Sequence, residues 1–440
     1  MGDEGGAGGQ GGGGSPLPLD PSFGKGGVVL EGLAPFKGLG DVILGPDGSL
    51  YLYTETGVVA TAGIVRLLAD GSVDAAFGEG GFLTLPAGYA WAGLALQPDG
   101  KLVFGGQSDD GATDQHIAFG RFGLDGKLDS SFGEGGLATF SLGTASSRVS
   151  DLFVVGDRVL AVGNGAATTP NFYVDALALR LRPDGTLDTE FHAPDGFAFY
   201  DTPVPPNAKP RVDRIDRGYA RPDGALYACG EITEFLPIDS PYPSPLVVRY
   251  TPDGQLDPAF GEGVGKLSVS DFISGSGCSE QRAASCLAVV EAPDGKVIVA
   301  GEFYNKVAVT DPDYQQLGGR RDGFVARLLP DGSPDPSFGN AGLFNLATPV
   351  DALTDIVVLP DGALLAGGRA GSYAGNWNTP FLMRITAQGA LDPTFGAGGV
   401  YALAGPETAT PGVRLARQPD GKIVVGIIGE SPVIMRLQPL

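Results

Sequence analysis

One nine-residue stretch constrains this chain more than anything else in it. Leu19-Asp20-Pro21-Ser22-Phe23-Gly24-Lys25-Gly26-Gly27 returns at Val73–Gly81, Leu128–Gly136, Leu187–Gly196, Leu256–Gly265, Pro334–Gly342 and Leu391–Gly399. Each copy leads into a short apolar run such as Val28-Val29-Leu30. The aspartates of successive copies stand 54 to 78 residues apart. A unit repeated at such a period cannot bury its apolar face alone, so the copies must stack or close into a ring.

The rest of each repeat is equally regular. An apolar run, Asp41-Val42-Ile43-Leu44, ends at Pro46-Asp47-Gly48, and a second run, Leu50-Tyr51-Leu52-Tyr53, comes at once. Pro-Asp-Gly suits a tight hairpin, because Pro presets φ and Gly accepts a positive φ. It recurs at Pro98, Pro222, Pro293, Pro360 and Pro419, while Gly156-Asp157 replaces it in the third repeat. A third run carries an arginine between apolar neighbours, as in Val65-Arg66-Leu67. With the run after Gly-Gly this makes four antiparallel strands per module, the pattern of a propeller blade. The chain opens with a Leu-Asp-x-x-Phe unit that no arginine strand precedes. It closes with Ile434-Met435-Arg436-Leu437, an arginine strand with no such unit after it. Joining the two completes a blade and leaves no free sheet edge. The expected fold is therefore all-β: a seven-bladed β-propeller over 19–440, with the N-terminal strand completing the last blade. Residues 1–18, Gly-rich, are expected to be a disordered tether.

These units and hairpins resemble the delta-sixty repeat family of bacterial propeller-like proteins, over Leu19 to Leu440. The fourth copy departs, with His192-Ala193-Pro194 in place of Gly-x-Gly. The resemblance implies a propeller and a frequently exported protein. It implies no activity.

Composition narrows the partners. The formal net charge is −22, a field that repels nucleic acid and anionic membrane surfaces and disfavours acidic partners. No stretch of about 18 apolar residues exists, so no transmembrane helix is expected. Met1-Gly2-Asp3-Glu4 and the Gly-rich run after it contain no apolar signal core. They resemble the region just after the lipidated cysteine of a bacterial lipoprotein, which suggests a lipid tether and a periplasmic or cell-surface location. Of three cysteines, Cys229 sits in an apolar strand pattern and reads as a small buried residue. Cys278 and Cys286, close together, are the expected disulfide.

Groups repeated around a ring serve structure. The seven strand arginines (Arg66, Arg121, Arg180, Arg249, Arg327, Arg384, Arg436) are expected to meet the repeat aspartates, and the repeat phenylalanines to fill the spaces between blades. Candidate binding residues lie instead where the repeats lengthen, on one face of blades four to six. Tyr200, Phe235 and Tyr242 fall there, as do Phe303, Tyr304 and Tyr314, and in blade six Tyr373 and Trp377. An aromatic ledge of this kind suits a glycan or peptide, or an envelope protein. Aligning the inner strands on their hairpins places Asp41, Gly93, Asp151, Arg217, Ala288, Asp355 and Arg414 at one level of the central channel. Asp41, Asp151 and Asp355 are the candidate metal ligands, for calcium if any cofactor. Only His116 and His192 are available to imidazole chemistry, and P-loop, G-x-S-x-G and H-E-x-x-H patterns are absent. The expectation is a monomeric, non-catalytic binding scaffold; the alternative is a carboxylate-based hydrolase or lyase at the channel mouth.

Overall fold

A computed structural model of the chain describes residues 16–29, 38–55, 62–108, 115–123, 125–142, 147–165, 174–200, 212–234, 242–261, 266–268, 283–305, 320–345, 352–371, 378–403, 412–429 and 432–440. Seven four-stranded antiparallel sheets account for its strands. Their first strands are Gly38–Leu44, Tyr89–Leu96, Arg148–Val155, Val212–Ala220, Ala283–Glu291, Ala352–Val358 and Gly412–Arg417. Each touches the first strand of the next sheet, so together they ring the central axis. The last meets the first to shut the circle. Blade seven is finished from the other end of the chain, as the repeat ends required: Val28 pairs with Met435 and Val29 with Ile434. This is a seven-bladed β-propeller.

The blades adhere through one recurrent cluster on the face of the short turns. All seven strand arginines meet their repeat aspartates, at 2.7 to 2.9 Å in six cases, and Arg384 likewise bonds Asp392. In five blades the same guanidinium also donates to a turn carbonyl of the next blade. Arg121 reaches Pro183 O, Arg180 Pro252 O, Arg249 Pro330 O, Arg327 Ala387 O, and Arg436 Ala69 O, at 2.5 to 2.7 Å. It lies over the repeat phenylalanine as it does so, 4.6 to 5.3 Å from the ring of Phe132, Phe191, Phe260, Phe338 or Phe23. Those five rings are fully buried.

The adjoining turn must lack a Cβ to admit them. At Gly185, with φ +83°, a Cβ would stand 2.8 Å from Gly133 N and 3.1 Å from the Phe132 ring. Gly133 N–H in turn donates to Asp184 O at 2.7 Å. The degenerate fourth copy keeps this bond, since His192 N–H donates to Asp253 O at 2.6 Å. Two arginines differ: Arg66 and Arg384 turn back to Asp47 and Asp361 in their own blade's hairpin, and Arg66 lies over Tyr51 rather than Phe77.

The cysteines correct an expectation. Cys229, on the second strand of blade four, is bonded to Cys286 on the inner strand of blade five, with Cα atoms 5.6 Å apart. Blade packing brings together two positions 57 residues apart, and their nearness in space overrides the nearness of Cys278 in sequence. Cys278 lies outside the described residues. Among the described residues no helix is long and apolar enough to cross a membrane.

Candidate functional site

The channel begins with a distortion repeated along its wall. The inner strands of blades one to six each carry a β-bulge, at Gly40, Ala92, Ser150, Asp216, Leu287 and Thr354. An extra residue turns the strand and re-aims the side chain beyond it. The re-aimed positions are Asp41, Gly93, Asp151, Arg217, Ala288 and Asp355. The free edge of each inner strand leaves backbone groups without ladder partners, and side chains of neighbouring blades supply some of them. Asn164 accepts from Ile215 N–H at 2.7 Å and donates to Ile215 O at 2.9 Å. Thr354 Oγ1 accepts from Val413 N–H and donates to Val413 O.

The aligned level exists as expected. Asp41, Asp151, Asp355, Arg217 and Arg414 line one cavity of about 220 Å³, with Ile43, Phe153 and Tyr219 toward the turn face. Asp151 accepts from its own strand at Leu152 N–H and from the next blade at Gly218 N–H. Asp355 does the same with Ile356 N–H and Leu415 N–H. The carboxylates thus link neighbouring inner strands. Burial pushes Asp151 up to about 7, against the opposing pull of Arg217. Burial also pushes Asp355 up to about 7 and raises Asp41. Burial works against charge on Arg217 too, yet Asp151, Asp41 and Asp355 hold its pKa above the usual arginine value. Among the described residues no three of His, Cys, Asp and Glu come together as a metal site. The cation among these carboxylates is Arg217 itself.

Above this level, toward the longer loops, the channel widens into a mouth of about 560 Å³, within the usual 300–1,000 Å³ range of ligand sites. It shares Arg217, Leu287, Thr354 and Arg414 with the cavity below. Its charged lining is Arg148, Arg214, Arg217, Arg369 and Arg414 against Asp216 and Glu302. Arg214 bonds Asp216 at 2.7 Å and Arg369 bonds Glu302 at 3.1 Å. Arg414 donates to the carbonyls of Gly40 and Thr354. Arg148 is exposed, at the first position of its strand. Trp91 forms part of the wall, stacked on Tyr89 and fixed by its indole N–H to Pro86 O.

Hairpin alignment places Arg217 and Arg414 here but misses Arg148, which precedes Asp151 by three residues, as Arg214 precedes Arg217. Extending that alignment one level outward would have found both. Of the expected aromatics, Tyr200 is a correction. It closes the outer strand Phe197–Tyr200 and is 8% exposed, packed in the core shared by blades three and four, because the strand continues where a loop was expected. Tyr242, Phe303 and Tyr304 fall on strands Tyr242–Tyr250 and Val297–Asn305. Phe235, Tyr314, Tyr373 and Trp377 lie outside the described residues.

Comparison with known proteins agrees with this architecture. A solved polysaccharide lyase, Uly1, superposes with a TM-score of 0.50 at 10% identity, covering 93% of this chain and 91% of that one. The Penicillium chrysogenum α-L-arabinanase complexed with arabinobiose gives 0.44 at 12% identity, with 96% of each chain covered. The N-terminal domain of Nup159 gives 0.43 at 12%, covering 92% and 91%. At such identities the likeness is one of fold. Among curated proteins nothing matches. Residues 45–77, 97–132, 221–260, 292–338 and 359–395 match a family model described as "Domain of unknown function (DUF5122) beta-propeller", so the chain is similar to a family of β-propeller repeats.

Proposed function

We propose that this chain is a non-catalytic ligand-binding propeller of the delta-sixty type, exported to the periplasm or cell surface, and that its site is the channel mouth. The observation that carries the reading is a cavity of ligand size whose charged side chains come from individual blades and not from the repeat. A function written into all seven copies would have left the same residue on every blade; the mouth differs from blade to blade. Export is supported by the Cys229–Cys286 disulfide, a bond that oxidising compartments sustain. A glycan and peptide array probed with the intact chain tests the function. Ligands found there should lose binding to an Ala92→Trp variant, whose indole would fill the mouth. Undiminished binding by that variant for every ligand would sink the proposal. A second reading, carboxylate-based hydrolysis or elimination, draws on Asp151 and Asp355, which burial holds near neutrality. Product release by wild type that Asp151→Asn and Asp355→Asn abolish would favour it.

A further inference from the structure

Resting on the mouth as the binding site, we infer that its ligand is acidic: a saccharide bearing carboxylate groups, held by Arg148, Arg217 and Arg414. The chain as a whole argues against this, with a net charge of −22. The mouth inverts that sign, for five guanidinium groups line it against the carboxylates of Asp216 and Glu302. Such an inversion has a cost, since cations gathered in one concavity repel each other. On the turn face every strand arginine is neutralised by a repeat aspartate. In the mouth only Arg214 and Arg369 are paired in that way among the described residues.

The three others are differently placed. Arg414 has its Nε and one terminal nitrogen on neutral carbonyls, contacts that fix its direction without cancelling its charge. Arg148 forms no ion pair among the described residues. Arg217 lines the same cavity as Asp151, Asp41 and Asp355, whose charges act on it, without an ion pair to any of them within 4 Å. Asp151 and Asp355 have their Oδ atoms on backbone N–H groups. Guanidinium groups recognise carboxylates through paired N–H donors in one plane, which gives direction as well as charge. Beside them Gln107 and Ser150 offer an amide and a hydroxyl to the hydroxyls of a sugar, while Trp91, buried against Tyr89 and Phe104, backs the wall from the core. These hydroxyl-matching groups favour a saccharide over an acidic peptide.

The chain's net acidity adds a length rule. A long polyanion placed in the mouth would bring its remaining charges against a chain of net charge −22, whereas a short oligomer or a chain end would do so far less. Short acidic oligosaccharides should therefore bind more tightly per chain than the polymer.

Calorimetry on the full chain tests this with a trimer of galacturonic acid, its methyl ester, a glutamate trimer and inorganic sulfate. The expected result is binding of the uronate trimer at least 10-fold tighter than its neutral ester or the peptide, and a further loss of at least 10-fold in Arg148→Glu. Arg148 is exposed, so that variant should keep the wild-type melting temperature, and Arg148→Lys should restore part of the affinity. Equal binding of acid and ester, or an Arg148→Glu variant that binds like wild type, overturns the inference while leaving the mouth as a site for neutral ligands. Preference for the glutamate trimer, or sulfate bound as tightly as the uronate, overturns the saccharide assignment. Binding that survives Ala92→Trp unchanged removes the proposed site, and this inference with it.

Discussion

On the turn face, Arg121, Arg180, Arg249, Arg327 and Arg436 make the same set of contacts: an aspartate, a phenylalanine ring and a carbonyl of the next blade. On the mouth face, Arg148, Arg214, Arg217, Arg369 and Arg414 share no pattern. The same side chain does opposite work at the two ends of one channel. Where its charge is matched and its donors are used, it joins blades. Where charge is gathered in excess of its partners, the arginines share no common set of contacts. The difference between the faces is therefore a difference in completeness, and each can be disturbed separately.

The largest effect should come from the turn face. Phe338 is fully buried beneath Arg327, so Phe338→Ala should cost about 3–5 kcal/mol in guanidinium unfolding. Phe77 is only half-buried against the core, at a junction whose arginine turns elsewhere, and Phe77→Ala should cost no more than about 2 kcal/mol. Equal losses would mean that the turn face is not organised by its arginine clusters.

Next comes the covalent tie. The Cys229→Ala/Cys286→Ala double variant should lose about 2–4 kcal/mol, and Cys278→Ala should change little. Cys229 pairs across the sheet with Arg217, so the double variant should also loosen the mouth, seen as faster hydrogen exchange at Arg217 and Gly218. If Cys278→Ala is the more damaging change, the Cys229–Cys286 pairing is wrong.

A smaller contrast separates two arginines of the turn face itself. Arg121 is 4% exposed and also holds Pro183 O of the next blade, whereas Arg66 is 24% exposed and bonds Asp47 and Asp74 within its own blade. Arg121→Ala should cost about 3 kcal/mol and Arg66→Ala about 1 kcal/mol, measured as shifts in denaturation midpoint.

The last contrast divides the faces by pH. Asp151 and Asp355, raised to about 7 from 3.8, hold their protons more firmly folded than unfolded. They face Arg217, Asp41 and the backbone amides of the neighbouring blades. The stability they contribute is full below pH 4 and is lost as pH rises through 7. The repeat aspartates Asp20, Asp129 and Asp335 have the opposite sense. Burial would raise them, but their Ser22, Ser131 and Ser337 hydrogen bonds, together with the cations nearby, hold them well below the ordinary range. Their contribution is present above pH 4 and fails only in acid. Melting temperature should therefore fall from pH 5 to pH 8 and fall again below pH 4. Asp355→Asn should flatten the upper arm alone. An upper arm unchanged in that variant would detach the channel carboxyls from the effect.

Much of the fold could be read in the sequence because its determinants are local and repeated. Leu-Asp-x-x-Phe, the hairpin turns and the strand arginine recur together, so blade count, closure and the arginine–aspartate pairs came from spacing alone. The level of Asp41, Asp151, Asp355, Arg217 and Arg414 came from the hairpins as well. The rest depends on geometry that no repeat encodes. The bulges at Ser150 and Asp216 carry no signature, the partner of Cys286 is set by packing between blades, and the mouth assembles arginines from four blades. Net charge is silent on the mouth: an average over 440 residues does not locate the few arginines that line one concavity.

Blade seven takes Val28–Val29 from one end of the chain and Val433–Leu437 from the other, with Arg436 on Asp20. During synthesis the early strand must wait, unpaired, while six complete sheets emerge behind it. The circle is then completed in a single late event, because its last seam needs the final strand to leave the ribosome. Closure therefore comes after the other six sheets, and a polypeptide halted a few residues short of Arg436 would carry both of its edges open.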